Sequence, residues 1–144
     1  MAKLKIKVEV VDDNGVVPSK NLHSDAGFDV TIIRKIRDIN STTALYGTGI
    51  KVQPSKPGFY FEMFARSSLV KSGYIITNSV GIIDEGYIGE LMVSLTKVAP
   101  EAPDIQLPAR VAQLIVKDNW LPEVEVVDSL DDTERGENGW GSSG

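Results

Sequence analysis

The sequence contains no cysteine, which removes disulfides, thiolate zinc sites and cysteine nucleophiles together. It has one histidine, His23, so neither a multi-histidine metal centre nor a Ser-His-Asp triad on any other histidine is available. With nothing to pair with, His23 reads as an ordinary turn residue. No block of lysine and arginine stands out and the formal net charge is −5. That argues against a nucleic-acid partner, because neutralising a phosphate backbone needs a basic face. It leaves room for a small polyphosphate, held by a few arginines and backbone N–H groups with a divalent cation. No apolar run approaches a membrane span, so no membrane partner is expected. The N-terminus, Met1-Ala-Lys-Leu-Lys-Ile-Lys7, alternates lysine with apolar residues and lacks the continuous apolar centre of a signal peptide. These absences predict a soluble, cytoplasmic protein, with the nucleus or a virus-infected host cell also open. No amphipathic helix of ten or more residues is evident.

What is present is strand. The chain has 144 residues, 42% hydrophobic and 24% charged, which suits one domain with a proper core. Leu4, Ile6, Val8 and Val10 alternate with Lys5, Lys7 and Glu9, the pattern of a half-buried strand, and Asp13-Asn14-Gly15 then turns the chain. Further candidates are Phe28–Ile33, Gly49–Val52, Phe59–Phe64, Ser79–Ile83, Ile88–Leu95, Val111–Val116 and Val124–Val127, separated by proline and glycine. A short helical turn is expected near 66–73. Many short strands with regular turns predict an all-β jelly-roll-like sandwich or barrel over residues 1–130. Trp120, before Leu121-Pro122, reads as core or subunit-interface packing. Residues 131–144 carry four glycines and one large apolar residue, Trp140, too little to order themselves, and read as a flexible C-terminal arm.

Within this frame Asn78-Ser-Val-Gly-Ile-Ile-Asp-Glu-Gly-Tyr-Ile-Gly-Glu90 is the most informative stretch. Asp84 leaves an apolar strand after Ile82 and Ile83, and Tyr87 follows between glycines that let the backbone turn tightly. A turn-capping carboxylate and one held for chemistry fit this segment equally. Four other segments stand out. Ser24-Asp-Ala-Gly-Phe-Asp-Val30 puts Asp29 at a strand start. Ala65-Arg-Ser-Ser-Leu69 gathers a guanidinium, two hydroxyls and backbone N–H groups suited to phosphate oxygens. Arg110-Val-Ala-Gln113 heads a strand, and Arg135-Gly-Glu-Asn-Gly-Trp-Gly-Ser-Ser-Gly144 ends the chain. Each alone is usually a solvated loop or a structural feature.

In this order and spacing, the five segments resemble the five motifs of the trimeric dUTPase family, from residue 26 to residue 144. The resemblance implies hydrolysis of dUTP to dUMP and pyrophosphate with Mg²⁺, on a jelly roll assembled as a homotrimer whose arm closes a neighbour's site. Its biological sense is to keep uracil out of DNA and to supply dUMP for thymidylate synthesis. It implies Asp84 as the base that orients the attacking water, with Gln113 helping to orient water and phosphate. Tyr87 would stack under the deoxyribose. Asn78, with backbone near Gly81, Ile82, Ile83 and Met92, would read the uracil edge. Arg66, Ser67 and Ser68 would hold phosphate oxygens, and Asp29 would reach Mg²⁺ through water. From the arm, Arg135 would clamp the terminal phosphate, and Trp140, beside Gly141, would stack over the uracil.

Two positions depart from the family pattern. Ala65 and Ser68 flank the second motif where proline and glycine are usual, and Ser68 adds a Cβ where backbone approaches phosphate. Trp140 replaces the usual phenylalanine and stacks at least as well on a pyrimidine. The nearest rival, a dCTP deaminase, shares fold and nucleotide but uses a glutamate ten residues beyond the motif's aspartate; here that position is Ser94. Zinc-type deamination needs a His/Cys set that this chain lacks. A nucleotide-dependent regulatory role, in addition to catalysis or in its place, is the other alternative.

Overall fold

A computed structural model describes residues 2–142 of the chain. Among these residues the backbone forms ten strands: β1 (Ile6–Val10), β2 (Phe28–Ile32), β3 (Arg34–Asp38), β4 (Thr43–Gly47), β5 (Ile50–Pro54), β6 (Phe59–Ala65), β7 (Tyr74–Ile76), β8 (Gly81–Ile83), β9 (Met92–Lys97) and β10 (Ala109–Asp118). Alternation sets their faces: in β5, Ile50, Val52 and Pro54 turn inward while Lys51 and Gln53 turn out. The strands form two four-stranded sheets, β2-β10-β6-β8 and β3-β4-β9-β7, and a two-stranded ribbon, β1-β5. Every pairing between these strands is antiparallel.

The inner faces close on one core. Val30, Ile32, Phe61, Met63, Ala112 and Leu114 come from the first sheet, and Tyr46, Ile76, Val93 and Leu95 from the second. Each fully buried Val, Leu, Ile or Phe contributes about 1.5–3 kcal/mol, so this shared layer dominates the stability of the sandwich. The all-β, jelly-roll-like architecture matches the expectation. The short helical turn is present as a 3-10 turn, Ser67–Lys71. No helix among the described residues is long and apolar enough to cross a membrane.

Some boundaries differ from the sequence reading, each for a physical reason. The segment Val124–Val127 forms no strand: nothing among the described residues pairs with it, and Val124 and Val126 are 95% and 94% exposed. Trp120 is 86% exposed and is no part of the core. The 79–83 strand starts only at Gly81, because Ser79 is turned into the left-handed region at φ 65°. The 88–95 strand starts at Met92, since Ile88 and Gly89 still belong to the loop leaving Asp84.

Candidate active site

β8 is an edge strand with only β6 beside it. Its outer N–H and C=O groups are therefore unclaimed by the sheet, as at any edge. Along this edge runs a cleft of about 310 Å³, whose lining includes Asn78, Gly81, Ile82, Ile83, Asp84, Tyr87, Glu90, Met92 and Ser94. Met63 packs 3.4 Å from where a Cβ on Gly81 would sit, and the Asn78 amide nitrogen lies 3.8 Å from that point. The Asn78 turn is held by Ser79 N–H to Ile76 C=O and Val80 N–H to Asn78 C=O. The cleft is thus apolar-walled, with a free backbone edge and one amide side chain, the composition of a small-molecule pocket.

Asp84 sits at the mouth of this cleft, exposed. Its backbone carbonyl accepts the Tyr87 N–H at 3.0 Å and closes the turn. Its carboxylate takes no hydrogen bond from the described residues, so the turn does not depend on that side chain. Turn capping is the weaker of its two readings. Glu85, next in sequence, does the anchoring instead: its Oε1 accepts the N–H groups of Gly58 and Phe59 at 2.7 and 2.8 Å. The Tyr87 ring lies across Gly89, where a Cβ would come within 2.5 Å of its Oη, and that hydroxyl donates to the Glu90 carbonyl at 2.8 Å. Ser94, at the position decisive for deamination, donates to the Thr77 hydroxyl at 2.8 Å and brings no carboxylate into the cleft.

A second, polar cleft of about 340 Å³ gathers Lys20, Asp25, Gly27, Asp29, Arg66, Ser67 and Gln113. Strand register explains the convergence: Gln113 of β10 stands opposite Asp29 of β2, and Ala112 stands opposite Ala65, one residue before Arg66. Arg110 and Gln113, three apart, would point to opposite faces of a regular strand. A bulge between Arg110 and Ala112 inserts one residue and brings both to the same end of the site. Asp29 is flanked by two guanidinium groups, Arg66 Nε at 2.9 Å and Arg110 Nη1 at 3.8 Å. Arg66 also donates to the Arg110 carbonyl at 3.1 Å. Only one of its five N–H donors is engaged in a hydrogen bond among the described residues, so others are open to a ligand. Ser67 and Ser68 open the 3-10 turn, where the first N–H groups have no partner within the turn. Gln113 donates to the Ala65 carbonyl at 3.1 Å and packs so closely against Gly27 that a Cβ there would collide with its side-chain oxygen.

The two clefts share no lining residue, and Ser68 lines neither. Arg135, Trp140 and Gly141 are exposed and line neither cleft; Arg135 Nε donates within the arm to the Asn138 carbonyl at 2.8 Å. Ser143 and Gly144, which end the fifth motif, lie outside the described residues. Among the described residues no group of three or more His, Asp or Glu side chains forms a metal cage. Sequence reasoning gave no role to Lys20, which lines the polar cleft, or to Glu90 and its partner Arg34. Glu90 closes the third motif, and an acidic residue between Gly89 and an apolar strand is a signal of the same kind that singled out Asp84.

Comparison with known proteins identifies the family and the fold. Residues 13–144 match the family described as dUTPase. A deoxyuridine 5'-triphosphate nucleotidohydrolase of Clostridium novyi (strain NT) is 34% identical over 142 residues, covering 98% of this chain and 99% of that protein. One from Rhodococcus erythropolis (strain PR4 / NBRC 100887) is 40% identical over 143 residues, covering 98% of this chain and 87% of that protein. Among solved structures, a dUTPase of Staphylococcus bacteriophage 80alpha with dUpNHpp superposes with a TM-score of 0.83 over 97% of this chain and 98% of that one, at 24% identity. A dUTPase from phage phi11 of S. aureus, whose structure details coordination of a structural Mg(II) ion, gives 0.73 at 21% identity, covering 89% of this chain and 99% of that one. These likenesses establish the fold, and with the family match and the two relatives they lead to one conclusion: the chain belongs to the dUTPase family.

Proposed function

We infer that this protein hydrolyses dUTP to dUMP and pyrophosphate, by attack of a water on the α-phosphorus. The observation that carries this reading is Asp84: an exposed carboxylate with no hydrogen-bond donor among the described residues, at the mouth of a cleft walled by a free strand edge. Asp84 holds the water in line and takes its proton, while the bond from the α-phosphorus to the bridging oxygen breaks and pyrophosphate leaves. Tyr87 stacks under the deoxyribose. Asn78 and the backbone of Gly81, Ile82, Ile83 and Met92 read the uracil edge. A methyl group gained or lost in an apolar pocket is worth only about 1–3 kcal/mol. Rejection of thymine therefore rests on collision with backbone that β6 and the Met63 side chain keep rigid.

The polar cleft receives phosphate oxygens on Arg66, Ser67 and Ser68, with Gln113 orienting phosphate and water. Its own charges nearly cancel: Lys20 and Arg66 face Asp25 and Asp29. A triphosphate therefore requires positive charge from elsewhere, and Arg135 together with Mg²⁺ would supply it. The donor set fits an ion that arrives on the triphosphate and keeps most of its waters. Asp29, already flanked by Arg66 and Arg110, would hold it through a water. When bound, Mg²⁺ neutralises phosphate charge and polarises the phosphoryl oxygens.

The separation of the clefts supports a homotrimer in which each site draws on more than one chain, and residues 131–144 act as an arm that brings Arg135, Trp140 and Gly141 to a neighbour. The exposed apolar residues Trp120, Leu121, Val124 and Val126, which the single chain leaves uncovered, favour the same arrangement. Sedimentation that finds a fully active monomer would overturn it. For the reaction itself, dUTP, dTTP, dCTP and UTP with Mg²⁺ are assayed for pyrophosphate and for ammonia. Pyrophosphate is expected from dUTP alone. Ammonia from dCTP would point to deamination, and dUTP binding without turnover to a regulatory role.

A further inference from the structure

Behind the Tyr87 loop lies an ion pair to which the proposed reaction assigns no task. Arg34 Nη1 donates to Glu90 Oε2 at 2.7 Å and Nη2 to Oε1 at 2.6 Å, a bidentate pair. Glu90 Oε2 also accepts the Gly49 N–H at 2.8 Å. The pair runs from β3 across β4 to the loop that enters β9, since Arg34 of β3 stands opposite Gly47 of β4, and Gly47 stands opposite Met92 at the start of β9. Gly47 makes the crossing possible: a Cβ there would come within 2.7 Å of both Arg34 Nη1 and Glu90 Oε2. Glu90 is therefore held by its side chain to two elements outside its own loop. Its backbone carbonyl, in turn, is the acceptor for the Tyr87 hydroxyl at 2.8 Å.

We propose that the Arg34–Glu90 pair is a positioning device for Tyr87 and so sets how strongly the cleft distinguishes deoxyribose from ribose. This rests on the reading that Tyr87 lies against the sugar. The pair itself need not touch the nucleotide. It fixes the carbonyl that tethers the ring, and the ring's position decides whether a 2′-hydroxyl has room. A bidentate, part-buried pair also lends some stability to the fold, but a ring displaced by a fraction of an ångström changes a steric boundary directly.

The test measures kcat/KM for dUTP and for UTP in the wild type, Glu90→Gln, Arg34→Lys, Tyr87→Phe and the double variant Tyr87→Phe/Glu90→Gln, with melting temperatures alongside. Lysine keeps the charge at position 34 but not the fork. Glu90→Gln and Arg34→Lys are expected to lower the dUTP-to-UTP ratio about 5- to 10-fold, the worth of one net hydrogen bond. Tyr87→Phe, which removes the tether, is expected to lower it as much. Adding Glu90→Gln to Tyr87→Phe should then change the ratio less than about two-fold, because the two act through one contact. Should Glu90→Gln fail to fold, Arg34→Lys, at a partly exposed guanidinium, carries the same measurement. Melting temperatures that fall while the ratio holds would reduce the pair to a structural role and overturn the proposal. A wild type that does not hydrolyse dUTP would overturn the functional reading, and this proposal with it.

Discussion

Asp84→Asn separates chemistry from structure more cleanly than any other change in this chain. The substitution keeps the side chain's shape and removes one charge from a position that is exposed and free of hydrogen bonds from the described residues. Surface changes of that kind move stability by no more than about 0.5 kcal/mol, which for a domain of this size is a melting shift of about 1–3 °C. Ligand affinity should hold or tighten slightly, since a negative charge near the triphosphate is gone. Losing a positioned general base costs about 10²–10⁴ in rate, or about 3–5 kcal/mol of transition-state stabilisation. The assay pairs single-turnover pyrophosphate release with calorimetric titration of a non-hydrolysable dUTP analogue, both with Mg²⁺. The expected pattern is unchanged binding, an unchanged melting curve and turnover lower by at least about 100-fold. Equal losses of binding and rate would refute the reasoning by making Asp84 a ligand-holding group. Near wild-type turnover would place the base elsewhere.

Three further outcomes are expected. Deleting residues 135–144 should leave the melting temperature unmoved, because the hydrogen bonds among the arm's described residues stay within residues 131–142, yet lower turnover at least about 100-fold by removing groups that orient the phosphates; surviving turnover would make the arm a mere extension. A saturating dUTP analogue should change the emission of Trp140 and not of Trp120, so Trp140→Phe abolishes the signal and Trp120→Phe preserves it. Arg34, chiefly by hydrogen bonding, holds the Glu90 carboxyl below its ordinary value of 4.5. A depressed carboxylate lends stability that is complete above that value and drains away as pH falls through the folded one, so wild type should lose melting temperature more steeply than Glu90→Gln as pH drops below about 4.5, and parallel curves would show that the pair does not contribute.

The strands that show in the sequence are those with one buried face. β5, β6 and β9 alternate or cluster apolar residues, and the core they build was legible from that pattern. β3 was not legible, because Arg34-Lys-Ile-Arg-Asp38 has a single apolar residue and lies at a sheet edge where solvent takes most of its side chains. β7 was hidden by its length of three residues. Val124–Val127 misled for the opposite reason. Its residues favour extended chain, but a strand requires an edge to pair with, and none of the described residues pairs with it. Local preference was read correctly there, and the partner was what the sequence could not supply.

The site divides along the same line. The third motif stood out because chemistry and turn residues are contiguous, and the fold brings Asn78, Asp84, Tyr87 and Met92, which the family resemblance had grouped, into the lining of one cleft. The polar cleft was legible as a set of residue types but not as a geometry. An arginine and a glutamine three apart on a strand face opposite ways, and only the bulge at Val111 reconciles them. Its trace is faint in sequence: Val111 and Ala112 are both buried, where a regular strand would have turned one of them outward. That bulge also decides what Asp29 does. By bringing Arg110 to within 3.8 Å of a carboxylate that Arg66 already holds at 2.9 Å, it makes Asp29 a bracket between two cations. A carboxylate so placed fixes both guanidinium groups beside the polar cleft. The motif resemblance gave Asp29 only as a water-mediated contact to Mg²⁺, whereas its pairing with Arg110 follows from the one inserted residue.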